Sequence, residues 1–467
     1  MKTLKNEWRT TRRAVLSKFA ESQRQQAFTL DRRRAALYAL AMLGGVASWC
    51  KSSVLGARAT KIFGSEASQL KERERGASQG APVDWFREDW DFDADAFSLP
   101  SAAREAIDAS LEALAARQNP DGSFGYASDL FGRDPGVAAL CGLAFLAAGS
   151  APGRGRFGDA LDKIVSYILS RSFGARNAKR GAFDESVLNY LKENALMESG
   201  VDGLIANLDE RGRKPMYGHG FATLFLAAIL GINGRSEIRE RTRAAVDLIV
   251  RVQNADGGWR YEPKRVPVAD LSVTVCQLSA LRAAKDAGLA VPNATIEKAV
   301  AYVERCQNAD GGFRYMTLDG PSGIARTSAA VLALQSGGAD DSEAVAAAFR
   351  YLEKAAHLAE DVDVKRWKDG ASKQGGEATI EIPRLPTTRI EYYFYGEFYA
   401  ALAYWRGARD AASKERWARW ARRAYPNLLS RRDDDGLWRS NVSTDAETAL
   451  VLCALSTPFE RAPFFLR

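Results

Sequence analysis

The nine residues Gln253-Asn254-Ala255-Asp256-Gly257-Gly258-Trp259-Arg260-Tyr261 return as Gln307-Asn308-Ala309-Asp310-Gly311-Gly312-Phe313-Arg314-Tyr315, at an offset of 54. An earlier copy reads Gln118-Asn119-Pro120-Asp121-Gly122-Ser123-Phe124, and a degenerate later one reads Asp434-Asp435-Gly436-Leu437-Trp438. A period of this length marks a supersecondary unit that cannot bury its own apolar face and stacks on copies of itself. Helical spacing precedes the turns: Ile296, Val300, Val303 and Cys306 fall on one face of a helix that ends at Gln307. Asp-Gly then supplies backbone angles that few other residues tolerate, and the aromatic residue that follows can fold back over the helix end.

A second helical segment follows most turns. Six such segments are rich in Ala and Leu: Val137 to Leu146, Gly220 to Leu230, Leu271 to Ala284, Ala325 to Gln335, Glu391 to Trp405, and Glu447 to Leu455. A helix that is apolar over most of its circumference must be covered on several sides. Six of them, alternating with more amphipathic helices, predict an all-α fold: an α/α toroid, six hairpins arranged as an inner ring of helices inside an outer ring, with a hollow lumen. An open superhelix of helix pairs would have a similar periodicity, so closure does not follow from the pattern.

Composition matters mainly for the first hundred residues. With 46% hydrophobic and 26% charged residues, the chain has the means to fold throughout its main body. Its net charge of +7 is held by residues 1–34, where ten Lys and Arg face three acids, and the remainder is neutral. That distribution gives the body no basic face for nucleic acid. The uncharged run Ala35 to Trp49 is short for a membrane span but suits the apolar part of a signal sequence or a thin anchor. Basic residues before it predict a cytoplasmic tail with the body exported or membrane-anchored on the other side; a buried helix of a cytoplasmic protein is the alternative. The expected organisation is a basic tail at 1–34, a signal sequence or anchor at 35–57, a linker at 58–100 and the repeat domain at 101–467. Five cysteines form neither CxxC pairs nor an even set, and Cys141, Cys276 and Cys453 recur in similar apolar settings, as core atoms do.

The QNxDGGW/F turns between helix pairs resemble those of the prenyltransferase and squalene oxidase (terpenoid cyclase) repeat family. That family includes squalene and hopene cyclases, class II diterpene cyclases and protein prenyltransferase β subunits. The stretches Asp270 to Leu281 and Met216 to Thr223 and the ending Pro463-Phe-Phe-Leu-Arg are similar to bacterial members without an established activity. The resemblance implies an α/α toroid over roughly Ala103 to Arg467; it is weak from Ser172 to Pro215. In class II cyclases a DxDDT-type sequence provides the acid that protonates an alkene. Its counterpart here is Val268-Ala269-Asp270-Leu271-Ser272-Val273-Thr274, with Ser272 and Val273 where the adjacent acids would stand. Asp270 therefore has two readings, a desolvated acid or a helix N-cap. The Asp, Cys and His that hold zinc in protein prenyltransferases have no counterpart in frame, and two histidines, His219 and His357, leave little scope for metal or triad chemistry. No cofactor is expected.

The remaining candidates surround the inner helix starts. His219, in Tyr217-Gly218-His219-Gly220, is either a base or donor at the mouth of the ring or a partner for backbone carbonyls of the adjacent loop. Tyr392, Tyr395 and Tyr399 share one helical face and Phe394 and Phe398 another, as core packing or as an isoprenoid-lining stripe. Glu391, Glu397 and Asp445 are weaker polar candidates of the same kind. Asp91, Asp93 and Asp95, and the acids of Arg432-Asp433-Asp434-Asp435, are expected on the surface. Two functions are consistent with these residues. One is a non-catalytic toroid binding an isoprenoid, another lipid or a protein partner in or at its mouth. The other is a terpene cyclase-like enzyme acting on a long isoprenoid, with Asp270 as acid and Tyr217, Thr274 and the tyrosine stripe around the guest.

Overall fold

The computed structural model describes residues 83–463, apart from 86, 127–130, 175–191, 193–200, 209–213, 356–391 and 440–441. The expected tail, apolar segment, Glu391 and His357 lie outside the described residues. Among the described residues twelve α-helices are traced: α1 Ser101–Ala115, α2 Pro135–Ala147, α3 Gly158–Ser170, α4 Pro215–Ile232, α5 Ser236–Arg251, α6 Leu271–Asp286 and α7 Asn293–Arg305 come first. They are followed by α8 Ile324–Ser336, α9 at 343–355, α10 Tyr393–Gly407, α11 Ala411–Ser430 and α12 Thr444–Ser456.

The even-numbered helices coincide with the six apolar segments, and they close on themselves. α2 packs on α4, α4 on α6, α6 on α8, α8 on α10, α10 on α12, and α12 returns to α2. This is a ring, not an open superhelix. Neighbours run parallel with their starts side by side, and small residues let them approach: a β-carbon at Gly136 of α2 would lie 2.5 Å from Cα of Gly218 in α4. Likewise, one at Gly396 of α10 would lie 3.1 Å from Cβ of Ala325 in α8.

The repeat turns tie each hairpin to the next. In three copies the Gln side-chain amide donates to a carbonyl within its own turn and to one at the start of the following outer helix: Gln118 to Ala160 of α3 (3.0 Å), Gln253 to Thr295 of α7 (2.9 Å) and Gln307 to Ala344 of α9 (2.8 Å). The aromatic residue folds back as expected. The indole N–H of Trp259 donates to the Ile249 carbonyl at 2.7 Å, and that of Trp438 to Leu428 at 2.6 Å. The last turn, 434–438, sits beside α1, where Arg432 Nε donates to Ser110 Oγ at 2.8 Å. The outer layer is thereby joined end to beginning.

A further turn appears where the repeat was weakest. Gly203 has φ of +88°, against +95° for Gly257, and a β-carbon there would lie 2.0 Å from the Ala244 carbonyl oxygen of α5. The same atom at Gly257 would lie 2.2 Å from the Lys298 carbonyl of α7. Residues 201–205 are thus another copy, resting on the next outer helix as the others do.

Two expectations are corrected. First, residues 90–99 are no linker. Trp90, Phe92 and Phe97 pack edge to face on Tyr425, and Phe97 also meets Trp417, because an aromatic cluster gains more from burial than from solvent. Asp91, Asp93 and Asp95 between them stay exposed. Second, the ring is narrow where α6 and α10 face each other. Every residue of α2 is buried, as is every residue of α4 from Gly218 to Leu230. Cys276 of α6 reaches Tyr399 of α10 at 3.6 Å, past the intervening α8.

Candidate functional site

The starts of the inner helices bring four sequence candidates together: Tyr217 on α4, Asp270 and Thr274 at α6, and Tyr395 on α10. Asp270 is the N-cap of α6 and is fully buried. Its Oδ1 accepts from the Val273 backbone N–H (3.0 Å) and the Ser272 hydroxyl (2.5 Å), and its Oδ2 accepts from the Tyr261 hydroxyl (2.9 Å). Both oxygens are occupied as acceptors, and capping is the role the geometry shows. The Tyr217 hydroxyl donates to Ser272, and the hydroxyls of Tyr261 and Tyr315 meet each other. Burial, with Asp270 close by, pushes the Tyr261 phenol up to about 12 and raises that of Tyr315. Burial likewise raises the phenols of Tyr217, Tyr395 and Tyr399, so the cluster carries protons throughout the physiological range.

Tyr395 and Tyr399 share a face, with ring centroids 4.6 Å apart. The Tyr395 hydroxyl is buried beside that of Tyr399, which in turn meets Cys276 at 3.6 Å. Tyr392 departs from the expected stripe: the helix begins at Tyr393, which leaves Tyr392 outside the first turn and 60% exposed at the rim. Lys214 Nζ lies 4.6 Å from the centre of the Tyr261 ring and the Arg260 guanidinium 5.5 Å, so the half-buried mouth carries two cations beside its phenols.

Thr274 is structural and not free for a ligand. Its hydroxyl donates to the Asp270 carbonyl and accepts from the Trp259 backbone N–H at 3.0 Å. Thr327 does the same for Phe313 (2.9 Å), and Thr448 accepts from Trp438 (3.0 Å). His219 fills this position in the hidden copy. Its Nδ1 accepts the Ile205 backbone N–H at 3.1 Å, which leaves the ring proton on Nε2. Burial lowers its pKa from 6.5 to about 4, which holds the ring neutral.

Asp445 stands apart from the tyrosine cluster. It is 2% exposed in the first turn of α12 and forms an ion pair with Arg117. Glu397, two residues from Tyr395, lies near Arg423 of α11 and Arg431 just after it, and burial raises its carboxyl pKa. Asp433 and Asp435 pair with Arg439 at the surface. Cys141, Cys276, Cys306 and Cys453 are free and buried, as a core role requires. The sequence reading missed Tyr261, Tyr315 and Ser272. A signal was available for the tyrosines, since each of the three better copies has Tyr two residues after its aromatic: Tyr126, Tyr261 and Tyr315.

A closed ring of six hairpins with glutamine-stapled turns defines an α/α toroid, and its repeats are terpenoid cyclase-like. Residues 222–406 match the family described as squalene-hopene cyclase C-terminal domain. The drimenyl diphosphate synthase of Streptomyces showdoensis is 26% identical over 239 residues, which cover 47% of this chain and 43% of that enzyme. The match thus spans less than half the length of that relative. Among solved structures, a type II terpene cyclase from Scytonema in complex with geranylgeranyl dihydroxybenzoate is similar at 15% identity, over 78% of this chain and 97% of that one, with a TM-score of 0.42. A protein from Actinoplanes is similar at 18% identity, over 76% and 99% of the respective chains, also with a TM-score of 0.42.

Proposed function

We propose that this terpenoid cyclase-like toroid binds an isoprenoid at the mouth formed by its inner helix starts, without using Asp270 as an acid. The observation that carries this reading is the capping role of Asp270: the Val273 N–H and the hydroxyls of Ser272 and Tyr261 all donate to its carboxylate, which ties it to the helix start. An alkene-protonating acid also needs a shaped apolar chamber, and the contact of Tyr399 with Cys276 at 3.6 Å narrows the space between α6 and α10. At the mouth, half-buried Tyr217, Tyr261 and Tyr315 offer apolar faces with polar edges, and Lys214 and Arg260 suit an anionic head group.

The enzymatic reading is favoured by a different observation, the similarity to drimenyl diphosphate synthase across about half of this chain. One experiment separates them. Purified protein is incubated with farnesyl diphosphate, geranylgeranyl diphosphate or squalene; bound lipid is measured, and the extract is examined for cyclised product. The binding reading expects retained isoprenoid, no product, and at least tenfold weaker retention in Tyr217→Ala. Cyclised product that disappears in Asp270→Asn would overturn it and establish the enzyme.

A further inference from the structure

The three better copies of the turn differ in how they use their asparagine. Asn119 Nδ2 donates to Ser123 Oγ (3.0 Å) and the Gly125 carbonyl (2.9 Å). Asn308 Nδ2 donates to Ser322 Oγ (2.9 Å) and the Gly320 carbonyl (3.1 Å). At an offset of 54, the counterparts of Gly320 and Ser322 are Val266 and Val268, which offer no hydroxyl. The loop is set the other way round, with the Val266 backbone N–H donating to Asn254 Oδ1 at 2.7 Å. This bond fixes the amide orientation, and it leaves Nδ2 without a partner among the described residues, on a side chain that is 3% exposed.

Asn254 lines a recess of about 490 Å³ on the outer side of the ring. Arg265 and Lys298 stand exposed at its edge, Lys298 on α7 and Arg265 on the loop before α6. Val250 also lines a second recess of about 520 Å³, to which Ala290, Val291 and Pro292 contribute. One half therefore gathers a buried amide donor and two cations, and the adjoining half joins four apolar residues to Arg251 and Asp247. Asp247 is the one acid along the pair. Arg265 is braced by a bond from its Nε to the Arg251 carbonyl at 3.1 Å, which leaves its terminal nitrogens for a ligand.

We infer that this paired recess between α5 and α7 is a binding site for a small amphipathic anion, a carboxylate or phosphate with an apolar body, separate from the mouth of the ring. The head group replaces the acceptors that Ser123 and Ser322 supply in the other copies, with Lys298 and Arg265 neutralising its charge. The body covers Val291 and Pro292. The volume is within the range of small-molecule sites.

Calorimetric titration of the full chain with octyl phosphate, octanoate, octanol and inorganic phosphate tests this. Expected is binding of octyl phosphate or octanoate that is at least tenfold tighter than that of octanol or inorganic phosphate; which of the two anions binds better identifies the head group. Lys298→Glu, at an exposed position, is expected to weaken it at least tenfold, and Asn254→Asp, which keeps the acceptor for Val266 and removes the donor, by a similar factor. Absence of binding, equal binding of inorganic phosphate, or affinity unchanged in Lys298→Glu would each overturn the assignment, with no bearing on the mouth.

Discussion

At 253–259 the turn carries Gln, Asn, Asp, two glycines and Trp, whereas at 201–205 only Asp202 and Gly203 remain of that set, yet both adopt the same positive φ and rest on the next outer helix. Their backbone N–H groups also end alike. Trp259 N–H is received by Thr274 and Ile205 N–H by His219, each at the start of the following inner helix. What the repeat holds constant is a set of backbone requirements: one residue without a β-carbon, and one acceptor for a buried N–H. Side chains vary wherever another can meet the same need.

If the two turns are equivalent, removing their common element should hurt both equally. Gly203→Ala and Gly257→Ala place a β-carbon about as close to the Ala244 and Lys298 carbonyls and force a strained φ. Each is expected to lower the unfolding free energy by roughly 2–4 kcal/mol, read from urea denaturation. A loss at Gly257 with none at Gly203 would break the comparison.

A second test exploits the residue that differs. His219 is neutral in the fold, with a pKa of about 4 against 6.5 for the exposed ring. Below pH 6.5 the unfolded chain gains a proton that the folded chain refuses. The contribution is therefore complete above pH 6.5 and declines by about 3 kcal/mol as pH falls toward 4. His219→Thr installs the residue used in the other copies and should flatten stability over that window; an unchanged pH profile would show that His219 is not the buried acceptor described.

The smallest effect concerns the aromatic. Trp259→Phe reproduces the residue at Phe313 and deletes one hydrogen bond, that to the Ile249 carbonyl. A loss of about 1 kcal/mol is expected. A loss several times larger would mean that the indole also holds the inner helix in place.

The inner ring was legible because its helices are apolar around almost their whole circumference, a pattern few other environments explain. The 201–205 turn was harder to see because Gln, Asn and the aromatic are missing there, although Asp202-Gly203 stands 54 residues before Asp256-Gly257, the period already evident in the better copies. The candidate site was only half legible. Asp270 and Tyr217 could be singled out by their place at helix starts, and capping was one of the two readings of Asp270. Its other partners, Tyr261 and Ser272, are set by tertiary packing. The narrowness of the ring was not legible at all. The reach of Tyr399 to Cys276 depends on ring diameter, which no periodicity records.

The seating of the last turn on α1 has an energetic corollary. An open stack of hairpins presents two terminal faces and can fray from either one without disturbing the middle. A circle has no such faces, so loss of any single hairpin uncovers two contact surfaces at once. Unfolding of this body should therefore be concerted around the circumference, with the weakest joint governing how long the whole survives.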